Sequence, residues 1–214
     1  MSITSYAELQ TAIGNWLARD DLTIRIPEFI TLAEAKLNRQ LRCQDSEVRA
    51  ITTINLLSAE PEFISLPLDF QMMKSLRLQS VTGKPRVQFL AQEQLDDYRT
   101  SINDQVGRPL YFTVFGIELE LAPTPDDSYV LEMIYRSVLP ALSATNTSNW
   151  LLEVAPDAYL YGALLEAAPY MRDNDQLQVW GSAFQATIEA LNQQTQEAKY
   201  SAGPLAITVD GATP

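Results

Sequence analysis

The 214-residue chain contains no histidine and a single cysteine, Cys43. Histidine is the commonest general base near neutral pH and a frequent metal ligand, so its absence removes much acid–base and metal chemistry. A Ser-His-Asp triad is impossible, and so are zinc sites that draw on histidine. One cysteine can close no intramolecular disulfide and build no cysteine-rich metal site. Cys43, at the end of a helical pattern, reads as a packing residue. The eight glycines are scattered. None forms a G-x-G-x-x-G or G-x-x-x-x-G-K-S/T phosphate loop or a G-x-S-x-G elbow. No apolar run approaches the roughly 20 residues of a membrane span. Met1 to Tyr6 has neither a basic start nor an apolar core, which predicts no signal peptide and synthesis in the cytosol. Cations are also scarce: 15 Lys and Arg face 27 Asp and Glu, a formal net charge of −12. A surface this acidic repels phosphate backbones and disfavours direct nucleic-acid binding.

What is present is ordinary for a globular protein, 46% hydrophobic and 20% charged. A first helix is predicted from about Tyr6 to Arg19, with Ser5 and Glu8 as a capping box and Tyr6, Leu9, Ile13 and Leu17 on one face. Asp20-Asp21 makes a turn. A second helix opens at Pro27 and reaches about Arg42, burying Phe29, Ile30, Ala33, Leu37 and Leu41. Its outer flank carries Lys36, Arg39 and Arg42. That row reads either as a solvated face near a helix C-terminus or as a contact row for an acidic neighbour.

From Ser46 the period changes to two. Strands are predicted around Val48–Thr53, Phe63–Leu66, Met73–Val81, Val87–Leu90, the two sides of Gly116, and Tyr129–Val138, joined as an antiparallel meander. A short polar helix, Ala91 to Ser101, turns Leu95 and Tyr98 inward. From Asn149 to Ser201 the helical period returns as two helices. One carries Leu160, Leu164, Ala167 and Met171; Pro156 suits its first turn, whereas Pro169 is expected to kink it. The other opens with an Asp173/Gln176 capping box and carries Leu177, Trp180, Phe184, Ile188 and Leu191. Helices, then strands, then helices define an α+β fold. The expected organisation is a helical bundle of residues 1–45 and 146–201, an inserted antiparallel β domain of 46–145, and an extended tail of 202–214. In that tail Leu205, Ile207 and Val209 alternate like a strand seeking an edge, although a frayed terminus gives the same pattern.

Paired carboxylates are the remaining candidates for chemistry. Asp96-Asp97 lies on a polar helix and Asp126-Asp127 follows a Pro-Thr-Pro turn, both ordinary solvated settings. Glu118 and Glu120 point to one face of a strand, a spacing that a glycosidase uses. No catalytic, cofactor-binding or metal-binding residue is assigned.

Several segments resemble the head-to-tail adaptor (connector) proteins of tailed bacteriophages. They are Thr4-Ser5-Tyr6-Ala7-Glu8-Leu9, Trp16-Leu17-Ala18-Arg19, Ile26-Pro27-Glu28-Phe29-Ile30, and Ala33-Glu34-Ala35-Lys36-Leu37-Asn38-Arg39 with Leu41-Arg42. Leu66-Pro67-Leu68-Asp69-Phe70 and Ala155-Pro156-Asp157-Ala158-Tyr159-Leu160-Tyr161-Gly162-Ala163-Leu164 with Glu166-Ala167-Ala168 extend the match over nearly the whole chain. The resemblance implies a structural virion protein of the head–tail junction, without catalytic residue or cofactor. It implies a ring, expected to be twelvefold, docked beneath the portal, extending the channel through which DNA passes and receiving tail or nozzle subunits. Within that frame Leu205, Ile207 and Val209 are expected to meet the portal, and Lys36, Arg39 and Arg42 a neighbouring subunit. Two alternatives are a peptidoglycan-degrading hydrolase resting on Glu118 and Glu120, and a soluble bacterial protein-binding module.

Overall fold

In a computed structural model the chain is described over residues 3–171 and 174–200. These residues divide into two compact units: one up to Asp45 together with the chain from Leu139 onward, the other Ser46–Val138. Each unit has its own apolar core. The fold is mixed α+β.

In the first unit, α1 (Tyr6–Leu17) begins where the Ser5 side chain accepts the Glu8 N–H at 3.3 Å. The reciprocal half of the expected box is displaced by one residue. The Glu8 carboxylate accepts from the N–H and the hydroxyl of Thr4, both at 2.8 Å, and these bonds hold it below the usual carboxylate range. Ala18 ends the helix in the left-handed conformation (φ 49°), and a 3-10 turn, Asp20–Arg25, leads into α2 (Ile26–Gln40). α2 has Pro27 in its first turn, where a missing N–H costs nothing.

After the second unit the chain forms α4 (Trp150–Val154), α5 (Pro156–Met171) and α6 (Asn174–Tyr200). Two helices are expected from Asn149 on, the first with Pro156 in its opening turn; the structure has both and places the short α4 before them. Pro156 has no N–H to continue α4 and starts a helix of its own. Asn149 caps α4, accepting the Leu152 N–H at 3.0 Å. α5 continues through Pro169 and ends two residues later, so the proline sits in its last turn. The proposed box residue Asp173 lies outside the described residues.

α5 is the central element of this unit. Its pattern is apolar nearly all round, with Ala158, Tyr159, Leu160, Gly162, Ala163, Leu164, Ala167 and Ala168 buried, as a helix wrapped by others requires. It packs against α1, α2, α4 and α6. Small residues set the spacing: a Cβ on Gly162 would lie 3.1 Å from the Ala33 Cβ of α2 and 3.0 Å from the Phe184 ring of α6. Cys43, Leu139 and Leu142 complete this core, in which Cys43 is buried.

The second unit is a curled seven-stranded sheet of β1 (Glu47–Thr53), β2 (Phe63–Ser65), β3 (Phe70–Leu78), β4 (Arg86–Phe89), β5 (Tyr111–Phe115), β6 (Glu118–Ala122) and β7 (Val130–Ser137). Their order is β1-β7-β3-β4-β5-β6-β2. This corrects the expected meander at three places, the first being β2, which pairs with β6 at the far edge instead of lying between β1 and β3. β7 lies between β1 and β3 rather than at the end, pairing Glu132 with both Ile51 and Arg77. β4 and β5 are parallel, with Gln88 beside Tyr111 and Phe89 beside Phe112. The cause is α3 (Gln92–Ser101), which carries the chain back to start β5 in the direction of β4 as only a crossover can. Gly116, at φ +58°, makes the tight β5–β6 turn, where a side chain would be strained. Leu76, Val87, Phe112, Leu119, Leu121, Leu131, Met133 and Tyr135 form the sheet's core.

Candidate functional site

A buried polar cluster ties the returning chain into the helical unit. Glu34, on the inner face of α2, is 5% exposed. Its Oε1 accepts the Leu142 N–H at 2.7 Å and lies 3.4 Å from the Tyr159 hydroxyl. Asn149 donates to that hydroxyl at 2.6 Å and to the Pro140 carbonyl at 2.7 Å. Asn38 accepts the Leu139 N–H at 2.7 Å. Removal from water pushes the Glu34 carboxyl up, a shift that its two hydrogen bonds only partly offset. Burial also pushes the Tyr159 hydroxyl up. The expectations drawn from the sequence missed this cluster. Its signal was an acid, Glu34, four residues after buried Ile30 and three before buried Leu37, which puts a carboxyl among the core positions of α2.

The proposed cation row is spread between two settings. Lys36 is ion-paired with Glu166 of α5 inside the same unit. Arg39 is exposed near the end of α2, and Arg42 is exposed beyond it, where its N–H donates to Asn192 of α6 at 2.7 Å. Leu205, Ile207 and Val209 lie outside the described residues.

In the sheet unit, Glu118 and Glu120 do share a face of β6, but their surroundings differ. Glu120 is buried and paired with Arg99 of α3 at 3.0 Å, and Gln92 donates to it at 3.3 Å. Arg99 also donates to the Leu121 carbonyl at 2.8 Å and to the Thr124 hydroxyl at 3.3 Å. Glu120 thus anchors α3 on the sheet. A cavity of about 640 Å³ opens between the first half of β3 and the β4–β5 pair. It is lined by Phe70, Met72, Met73, Phe89 and Phe112, and its charged lining residues are Lys74 and Arg86. No carboxylate lines it. Among the described residues, no group of three or more Asp, Glu, Cys or His is placed to hold a metal ion. No helix among them is long and apolar enough to cross a membrane.

The uncovered face of β1, β7, β3 and β4 is cationic, unlike the chain as a whole. Leu76 and Val87 pair on the core side, so Arg77 and Arg86, the next pair, face outward directly opposite each other. Glu132 is the neighbour of Arg77 on β7. It pairs with Arg49 at 2.6 Å, and Arg49, Lys84 and Arg77 together hold it below the usual carboxylate range.

The family model of the SU10 adaptor protein matches residues 4–208, and the chain belongs to that family of phage structural adaptors. The matched stretch takes in Leu205 and Ile207. No curated protein matches the chain.

Proposed function

We propose that this chain docks as a ring on the phage portal, extends the DNA channel and offers the attachment surface for tail or nozzle proteins. The observation that carries the reading is the family match across residues 4–208. In this reading the helical unit is a bundle that forms the ring, and its partners are the portal, tail proteins and further copies of itself, expected to number twelve. Lys36 is held by Glu166, so Arg39 and Arg42 are the residues of that row offered to a neighbour. A net charge of −12 keeps passing DNA from adhering, because phosphates are repelled.

Leu205, Ile207 and Val209 are proposed as the portal contact, an extended segment that gains a strand partner on docking. The purified chain ending at Ser201 is expected to keep its far-ultraviolet circular dichroism and to lose co-sedimentation with portal rings. Undiminished binding by the truncated chain would remove the tail from the account. A structural role leaves Glu120 as the anchor of α3 rather than a general acid.

A further inference from the structure

The outward face of the four-stranded part of the sheet carries more positive charge than its own carboxylates answer. Its cross-strand row runs Ile51, Glu132, Arg77, Arg86 across β1, β7, β3 and β4. Arg49 and Lys84 flank it, both drawn to Glu132, the carboxylate of the row, while Glu47 on the same side of β1 is taken by Lys74. Like charges placed directly opposite on neighbouring strands destabilise a sheet, yet Arg77 and Arg86 are so placed. Among the described residues, neither arginine nor Lys84 has a carboxylate within ion-pair distance, and the Arg77 Nε is buried without a hydrogen-bond partner. Half-exposed Ile51 sits at one end of the row. Such a face fits a partner that brings carboxylates and some apolar contact.

The same chain carries a surface of that kind. Glu93 lies three and four residues before the adjacent Asp96 and Asp97, and Thr100 three and four after them, so the four share one side of α3, and all are exposed. The opposite side of α3 holds buried Leu95, Tyr98 stacked edge-on to Tyr111, and Arg99 turned onto Glu120. Arg99 is the one cation of α3. With it turned inward, the outward side of the helix presents carboxylates and no positive charge.

We infer that the cationic patch of Arg77, Lys84 and Arg86 in one copy receives the acidic face of α3, with Glu93, Asp96 and Asp97, from a second copy. The two surfaces are different patches of one chain, so the contact is heterologous: each copy gives one and receives the other. Repeated with a rotation that closes, that contact generates a ring. The inference rests on the ring reading and names the β unit's share of the subunit interface.

The test is a charge swap in the full chain. Self-association is measured by sedimentation velocity at low salt and by the number of copies bound per portal ring. Arg77→Glu with Arg86→Glu, or Glu93→Lys with Asp96→Lys and Asp97→Lys, is expected to weaken self-association about tenfold, because several exposed ion pairs become repulsive. Carrying both sets in one chain restores it. Circular dichroism confirms that each variant folds, and all five positions are outward-facing. A wild-type chain that assembles while every variant assembles equally well would overturn this inference and leave the ring reading standing. A wild-type chain that stays monomeric in solution and on portal rings would overturn both. Short duplex DNA that binds wild type and is lost from Arg77→Glu/Arg86→Glu, with copy-to-copy contact unchanged, would assign the face to phosphates and overturn it as well.

Discussion

Glu34 shows how one side chain can hold two parts of a chain together. Its carboxyl is buried on α2, while the groups it engages, the Leu142 N–H and the Tyr159 hydroxyl, come from the returning connector and from α5. Because burial raises its pKa above that of the unfolded chain, the folded unit binds the proton more tightly. Its contribution to stability is full below the ordinary glutamate value, about 4.3, and is lost as pH rises through the higher folded value. Glu34→Gln keeps an oxygen for the Leu142 N–H and removes the titration. In denaturant unfolding across a pH series, the variant is therefore expected to gain on wild type as pH rises through that window. A difference between the two that stays flat with pH would contradict the assignment. This cluster was only half legible in the sequence. An acid among core positions of a helix is visible there. The partners that make it tolerable lie more than a hundred residues away, and no local pattern brings them together.

At the scale of elements, the clearest parts of the sequence were those fixed by local physics. The Ser5 cap, Pro27 and Pro156 in first turns, the Gly116 turn and the inward Leu95 all follow from a few neighbouring residues. The departures come from non-local choices. Strand period says that β7 has a buried face, but not that β1 and β3 occupy its two edges. The parallel β4–β5 pair depends on α3 acting as a crossover, which a short polar helix does not announce. The central position of α5 was readable in its all-round apolar sequence, although a single stripe describes only part of it. α3 itself is held by Leu95, the Tyr98–Tyr111 ring contact, Arg99 and the Gln92–Glu120 hydrogen bond. Arg99→Ala leaves the buried Glu120 carboxylate without its cation and with only the Gln92 hydrogen bond, a change worth about 3 kcal/mol. Amides of residues 92–101 are then expected to exchange with deuterium faster than in wild type, read by mass spectrometry of the intact fold. Unaltered exchange there would show that Arg99 does not fasten the helix.

Over the whole molecule, composition limited function more than it defined it. Absent histidine and scattered glycines exclude the commonest catalytic and phosphate-binding motifs, and the segments from Thr4 to Ala168 carry the family resemblance that the match over residues 4–208 shows. Net charge, by contrast, averages over regions of opposite character. A chain at −12 carries a cationic sheet face, and only strand register reveals that Arg77 and Arg86 meet there. Which surfaces touch other subunits is a property of the assembly, so neither the row of Lys36, Arg39 and Arg42 nor the segment Leu205–Val209 is decided by pattern alone.

The central claim is that this chain completes a portal by adding a ring of its own copies. Native mass measurement of portal rings saturated with the full chain tests it directly. The account predicts one added chain per portal subunit, a mass increase of twelve chains on a twelvefold portal. Bare portal mass at saturating chain, or a scatter of one and two bound copies with no preferred number, would contradict it.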